Sequence, residues 1–131
     1  MNVKEKIAEL NLPQNSYIVV GSGVMGALGI RESNDIDMVV TKEAYNYVKS
    51  LGWETGAWGD TTVFQKDVFD IGDDWYGKTA EDLLEHAQVI DDVPYLSLDD
   101  VYEWKKQKGR DKDIHDLELI DAYREIKSST I

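Results

Sequence analysis

The stretch Val20-Gly21-Ser22, followed after twelve residues by Asp35-Ile36-Asp37-Met38, decides how this chain is read. Just upstream, Tyr17-Ile18-Val19-Val20 is a β-branched run that predicts a buried strand. It stops at Gly21-Ser22-Gly23, and Val24 to Leu28 then reads as a short helix. A glycine at such a turn lets backbone approach a phosphate, and helix N–H groups favour an anion. From Asp35 to Thr41 acids alternate with apolar residues before Val39-Val40, which predicts a second strand. Alternate strand residues share a face, so Asp35 and Asp37 project together with Cα atoms about 6.5–7 Å apart, while Ile36 and Met38 enter the core. Two carboxylates so held repel each other unless a cation or a proton lies between them. Hard oxygen donors of this kind suit Mg²⁺ (or Mn²⁺), with water and substrate phosphates completing the octahedron. The same two residues also read as exposed strand-edge acids, with Asp35 as a local turn cap.

Outward from this centre, Val3 to Leu10 predicts a first helix, with Pro13 just beyond it. Thr41 caps a helix through Leu51 whose apolar face takes in Ala44, Tyr45, Val48 and Leu51, and Gly52 follows at its C-terminal end. Thr61 to Gln65 and Val68 to Ile71 flank Lys66-Asp67 and predict a hairpin. Thr79 opens a helix to about Ala87, and Ser97 opens another to about Lys108, ended by Gly109. The last helix carries Ile114, Leu117, Ile120, Tyr123 and Ile126 at three-residue steps, expected on one side. The expected architecture is therefore α+β, a small mixed sheet with helices packed on it.

At 131 residues the chain has room for one ordinary domain, expected to span 1–131, and no repeat or linker divides it. An apolar fraction of 42% beside 31% charged residues is that of a globular protein, and four Trp and seven Tyr supply bulk for a core. The absence of cysteine excludes disulfides and thiolate metal sites. Neither an apolar leader after Met1 nor a membrane-length apolar run is present, so a cytoplasmic location is expected.

A net charge of −12 argues against an extended nucleic-acid surface. Yet Lys105, Lys106, Lys108, Arg110 and Lys112 stand against Asp111 alone, a local +4 that leaves −16 on the remainder. Such an island suits a compact anionic ligand, or else is a solvated helix face.

Taken in order, apolar strand, Gly21-Ser22, short helix and Asp35-Ile36-Asp37-Met38 resemble the nucleotidyltransferase superfamily typified by DNA polymerase β. A second stretch adds to it: Tyr95-Leu96-Ser97-Leu98-Asp99-Asp100, then Lys105, then Gly109-Arg110-Asp111-Lys112-Asp113-Ile114-His115-Asp116-Leu117. It resembles the C-terminal segment of small bacterial nucleotidyltransferases, among them antibiotic-modifying and toxin–antitoxin members. The likeness runs from about Tyr17 to Tyr123.

The resemblance implies a third carboxylate on a later strand, for which Asp70 in Val68-Phe69-Asp70-Ile71 is the candidate. It implies that Asp35, Asp37 and Asp70 hold divalent ions between an NTP and an acceptor hydroxyl, in the manner of two-metal catalysis. Gly21 and Ser22 would contact the β- and γ-phosphates, and Lys105, Arg31 and Arg110 would neutralise phosphate charge. Lys105 is expected beside the Gly21-Ser22 turn and, read as an exposed charge, replaceable by alanine at a cost below ~0.5 kcal/mol. Asp113 is assigned to structure, as an N-cap or a partner of Arg110, and His86 and His115 to the surface. Trp53, Trp58, Trp75 and Tyr76 either line an acceptor pocket or form core. Relatives with antibiotic substrates often carry further helices, so a shallow pocket or one completed in a homodimer is expected here. The expected activity is transfer of a nucleoside monophosphate from an NTP to a hydroxyl on a small molecule or protein, with release of pyrophosphate. The alternative is a catalytically silent nucleotide- or partner-binding module, antitoxin-like or regulatory.

Overall fold

The two apolar runs flanking the Gly-Ser turn lie side by side in the middle of one seven-stranded sheet. The computed structural model describes residues 1–129. Its strands are β1 (Tyr17–Val20), β2 (Ile36–Val40), β3 (Glu54–Trp58), β4 (Thr61–Lys66), β5 (Phe69–Gly72), β6 (Gln88–Ile90) and β7 (Val93–Tyr95). The helices are α1 (Val3–Ala8), α2 (Gly23–Ala27), α3 (Lys42–Ser50), α4 (Ala80–Leu84), α5 (Leu98–Lys108) and α6 (Asp111–Ser129). Strand order is β3-β4-β5-β2-β1-β7-β6. The β1/β2 pair is antiparallel, whereas β2/β5 and β1/β7 are parallel, so the sheet is mixed and the architecture α+β. No helix among the described residues is long and apolar enough to cross a membrane.

Centrality explains the composition of β1 and β2. Ile18, Val19, Val20, Ile36, Met38, Val39 and Val40 are all essentially inaccessible, because both sheet faces are covered. Each fully buried aliphatic side chain contributes roughly 1.5–3 kcal/mol. Asp37 is the single charged residue within these two strands, and it is only partly buried. It lies opposite Val20 across the antiparallel pair and opposite Asp70 across the parallel one. A side chain on Gly21, which has φ +66°, would come within 3.0 Å of Asp37 Oδ2. The glycine thus serves twice, supplying the turn and leaving the carboxylate its space.

Several boundaries differ from the sequence reading. Asp35 precedes β2 rather than opening it, and it is exposed. The β4/β5 turn is Asp67-Val68, one residue later than expected, with Asp67 at φ 57° and Lys66 paired to Phe69. Three short strands, β3, β6 and β7, were not expected; they sit at or next to the sheet edges, where burial is lighter and periodicity weak. Leu51 is 44% exposed and does not join the buried face of α3. The three-residue stripe of α6 is not its buried face either. Steps of three lag a 3.6-residue helix by about 60° each, so the four steps from Ile114 to Ile126 sweep about 240° of the circumference. Of the stripe only Ile120 is buried, together with Asp113 and Asp116 from outside it, while Ile114 and Ile126 are exposed.

Candidate functional site

The C-terminal end of β1 lies beside the beginnings of β2 and β5, and at this end of the strands α2, the start of β2, the β3/β4 turn, α5 and the first turns of α6 line a cavity of about 540 Å³. Its lining includes Ser22, Asp35, Asp37, Lys105, Arg110 and Asp116. One wall is acidic. Asp37 and Asp70 are register partners on adjacent parallel strands, and their carboxyl groups share a hydrogen bond when one is protonated. Burial pushes the Asp37 carboxyl up to about 7, and the charges of Asp70 and Asp35 add to the rise while Lys105 opposes it. Asp35 acts here through its field from the rim. Among the described residues, no three His, Asp or Glu side chains come together as a metal-holding group. Of the three expected carboxylates, Asp37 and Asp70 are partners in the sheet register, while Asp35 and Asp37 share the cavity lining, which does not include Asp70. A pair is still a donor set that suits Mg²⁺, which commonly takes one or two carboxylates and draws its other oxygens from water and phosphate.

A second part of the lining is cationic and internally braced. Lys105 is 1% exposed, and its Nζ donates to Ser22 Oγ at 3.1 Å and to Asp116 Oδ2 at 2.9 Å, with Asp113 Oδ1 at 3.8 Å. Ser22 can accept because its hydroxyl makes no cap bond to α2. At five residues α2 offers little dipole, so the positive charge at this turn comes from Lys105. Asp116 also accepts two hydrogen bonds from Arg31, at 2.8 and 3.0 Å. Arg110 donates through its backbone N–H, Nε and Nη2 to Asp113 at 3.2, 2.6 and 3.1 Å. Burial works against ionising Asp113 and Asp116, yet the hydrogen bonds from Arg110 to the first and from Arg31 and Lys105 to the second hold both carboxyls below the usual range.

Lys105 therefore is not the exposed charge the sequence suggested. Its alkyl stem and ammonium are enclosed, and removing it would leave Asp116 short of a buried partner. Arg31 and Arg110 line the cavity, and each gives two guanidinium N–H donors to a carboxylate. Asp113 does partner Arg110, whereas Asp116, on which Lys105 and Arg31 both converge, was not singled out. The signal for it was present: Asp113 and Asp116 are three residues apart, hence on one helix face, opposite a lysine-bearing helix. Three cations against two carboxylates leave this wall with a surplus of one positive charge.

Aromatic residues close the remaining side. Trp58, Trp75, Tyr76 and Trp104 all line the cavity, whereas Trp53 packs on Phe69 with ring centroids 6.2 Å apart. Trp58 meets Trp75 edge-on at 5.2 Å, and Trp75 lies 4.8 Å from Trp104. Trp58 covers the backbone of Gly72 so closely that a Cβ there would stand 2.9 Å from its ring. Comparison of the chain with protein-family models, with curated proteins and with solved structures gives no match in any of the three.

Proposed function

We propose that this chain is a nucleotidyltransferase of the DNA polymerase β type, acting on an NTP and a hydroxyl acceptor. The observation that carries the reading is that Asp37, crowded with negative charge, and Lys105, in a cluster with a positive surplus, line one cavity. A triphosphate with a divalent cation is complementary to both walls at once. Asp37 and Asp70 would hold Mg²⁺ or Mn²⁺, with Asp35 at the rim, and the ion would polarise the acceptor hydroxyl and offset charge on the leaving pyrophosphate.

The chain's own residues supply positioning. Lys105, aimed by Asp116 and Asp113, brings its ammonium to the Gly21-Ser22 turn, where the β- and γ-phosphates belong. Arg31 and Arg110 add charge at the same wall. The acceptor oxygen bonds to the α-phosphorus, the α–β bridging oxygen departs with pyrophosphate, and the hydroxyl proton passes to the carboxylate pair. Incubation with each labelled NTP, Mg²⁺ and a pool of small-molecule and protein acceptors, scored for pyrophosphate and labelled product, tests this directly. Label transfer that Asp37→Asn abolishes is the expected result. That no three acidic or histidine side chains gather as a metal-holding group among the described residues favours a second reading, a nucleotide-binding module without turnover. NTP binding with no pyrophosphate released from any acceptor would select it.

A further inference from the structure

Asp74-Trp75-Tyr76-Gly77-Lys78 forms a hairpin with a two-residue turn, in which Trp75 and Lys78 exchange backbone hydrogen bonds at 2.8 and 3.1 Å. Both central residues have positive φ, 50° for Tyr76 and 90° for Gly77, as a type I′ turn requires. The Asp74 carboxylate accepts from Gly77 N–H at 2.9 Å and pins the turn. Asn, Asp and Gly are the residues that suit the first central position. A tyrosine there holds a left-handed backbone that its side chain opposes, and such departures gather where a ring or a ligand contact has to be presented.

Folding gains little from this ring, which is 50% exposed, while Trp75 beneath it is 7% exposed and already fills the aromatic core. Trp75 meets Tyr76 edge-on, with centroids 4.9 Å apart and planes at 78°. The Lys108 ammonium lies 4.7 Å from the Tyr76 ring centroid. Tyr76 and Lys108 both line the cavity that holds Asp37, Ser22 and Lys105, and both also line an adjoining one of about 420 Å³. Of the four aromatic residues on the main cavity, Tyr76 is the exposed one.

We infer that Tyr76 is a stacking platform for the base of the nucleotide whose phosphates lie between Asp37 and Lys105, with Lys108 holding the ring in place. The inference rests on the nucleotidyltransferase reading and adds to it the residue that tells a nucleotide from bare polyphosphate. Stacking uses the π-face that every base has, so this contact tolerates different bases.

The test is calorimetric titration of ATP and of inorganic tripolyphosphate, each with Mg²⁺, into wild type, Tyr76→Asn and Tyr76→Phe. Asparagine suits the turn, so Tyr76→Asn keeps the wild-type melting temperature. Its affinity for ATP falls about 5- to 150-fold, the range for loss of one base–aromatic stack, while tripolyphosphate binds as before. Tyr76→Phe retains the affinity for ATP. Unchanged ATP affinity in Tyr76→Asn, or an equal loss for both ligands, would overturn the stacking role and leave the phosphate site standing. A collapsed melting temperature in Tyr76→Asn would show the ring to be structural and overturn it too. If wild type binds neither ligand, the nucleotidyltransferase reading falls and this inference with it.

Discussion

Asp37 on β2 and Asp116 on α6 line the same cavity, and burial works against the charge of each, yet they end in opposite states. Asp37 faces Asp70 and Asp35, and its carboxyl rises to about 7. Asp116 is clasped by Lys105 and Arg31, and its carboxyl falls. One wall has thus been satisfied from within the chain, and the other has not. A fold needing only stability would give Asp37 a cation or replace it with an apolar residue, as every other position of β1 and β2 is apolar. The contrast supports the proposed site, in which a ligand brings the missing charge.

The sharpest way to break this comparison is to remove the buried cation. Lys105→Met should cost about 3–5 kcal/mol in urea unfolding, because it breaks a buried pair, leaving Asp116 only the partly exposed Arg31 and weakening the support of Asp113. Asp37→Asn should cost nothing in metal-free buffer. Equal losses in the two variants would mean that both walls are merely structural.

A somewhat smaller effect appears in the pH dependence. The folded-state carboxyl of Asp37 lies at about 7, above the ~3.9 of an unfolded aspartate, so between those values the folded chain keeps a proton that the unfolded chain has shed. Metal-free stability should therefore fall, on the order of 2–4 kcal/mol, as pH rises from about 4.5 to 8, and then level off. Asp113 and Asp116 are depressed, so their contribution is complete above the unfolded value and is lost as pH drops below about 4. Urea melts with chelator across this range should show both limbs in wild type. Asp37→Asn should flatten the upper limb alone.

Finer changes separate burial from pairing. Arg110→Ala removes a half-exposed partner from the fully buried Asp113, which keeps Lys105 at 3.8 Å, and should cost about 1.5–3 kcal/mol. Arg124→Ala breaks a pair of similar length, 2.6 Å, with Asp99, but the Asp99 side chain is 91% exposed. Its cost should stay within ~0.5 kcal/mol. Thermal or urea melts of the two variants side by side would check that enclosure, not ion-pair distance, sets the energetics.

How much of this was legible in the sequence follows from which signals are local. The central strands could be read because burial on both faces leaves an unbroken apolar run in Tyr17–Val20 and nearly one in Ile36–Val40. Helix starts at Thr41, Thr79 and Ser97 could be read because each carries its own cap, and all three side chains do accept from the backbone three residues on. The edge strands could not, since β3, with one residue in two or three partly covered, has no clean alternation. Charge was the harder matter. Lys105 sits among Lys106, Lys108 and Arg110, and nothing local marks it as the one that turns inward; only the contact with Asp116, eleven residues away on the next helix, decides it. Tyr76 likewise could be read with Trp75 only as pocket lining or core, because a left-handed φ is not written in an aromatic side chain.

The central claim is that the Asp37–Asp70 corner is completed by a divalent cation and a nucleotide. Thermal unfolding at pH 8, where the carboxylate repulsion is fully developed, tests it most directly. Wild type and Asp37→Asn would be melted in chelator, in millimolar Mg²⁺ or Mn²⁺, and in each ion with ATP. A ligand held by the folded state alone at a hundred times its Kd adds about 2.7 kcal/mol, enough to raise the midpoint by several degrees. The account predicts that rise in wild type, largest with ion and ATP together, and its absence in Asp37→Asn. A wild-type midpoint indifferent to every addition, or an equal rise in Asp37→Asn, would contradict it.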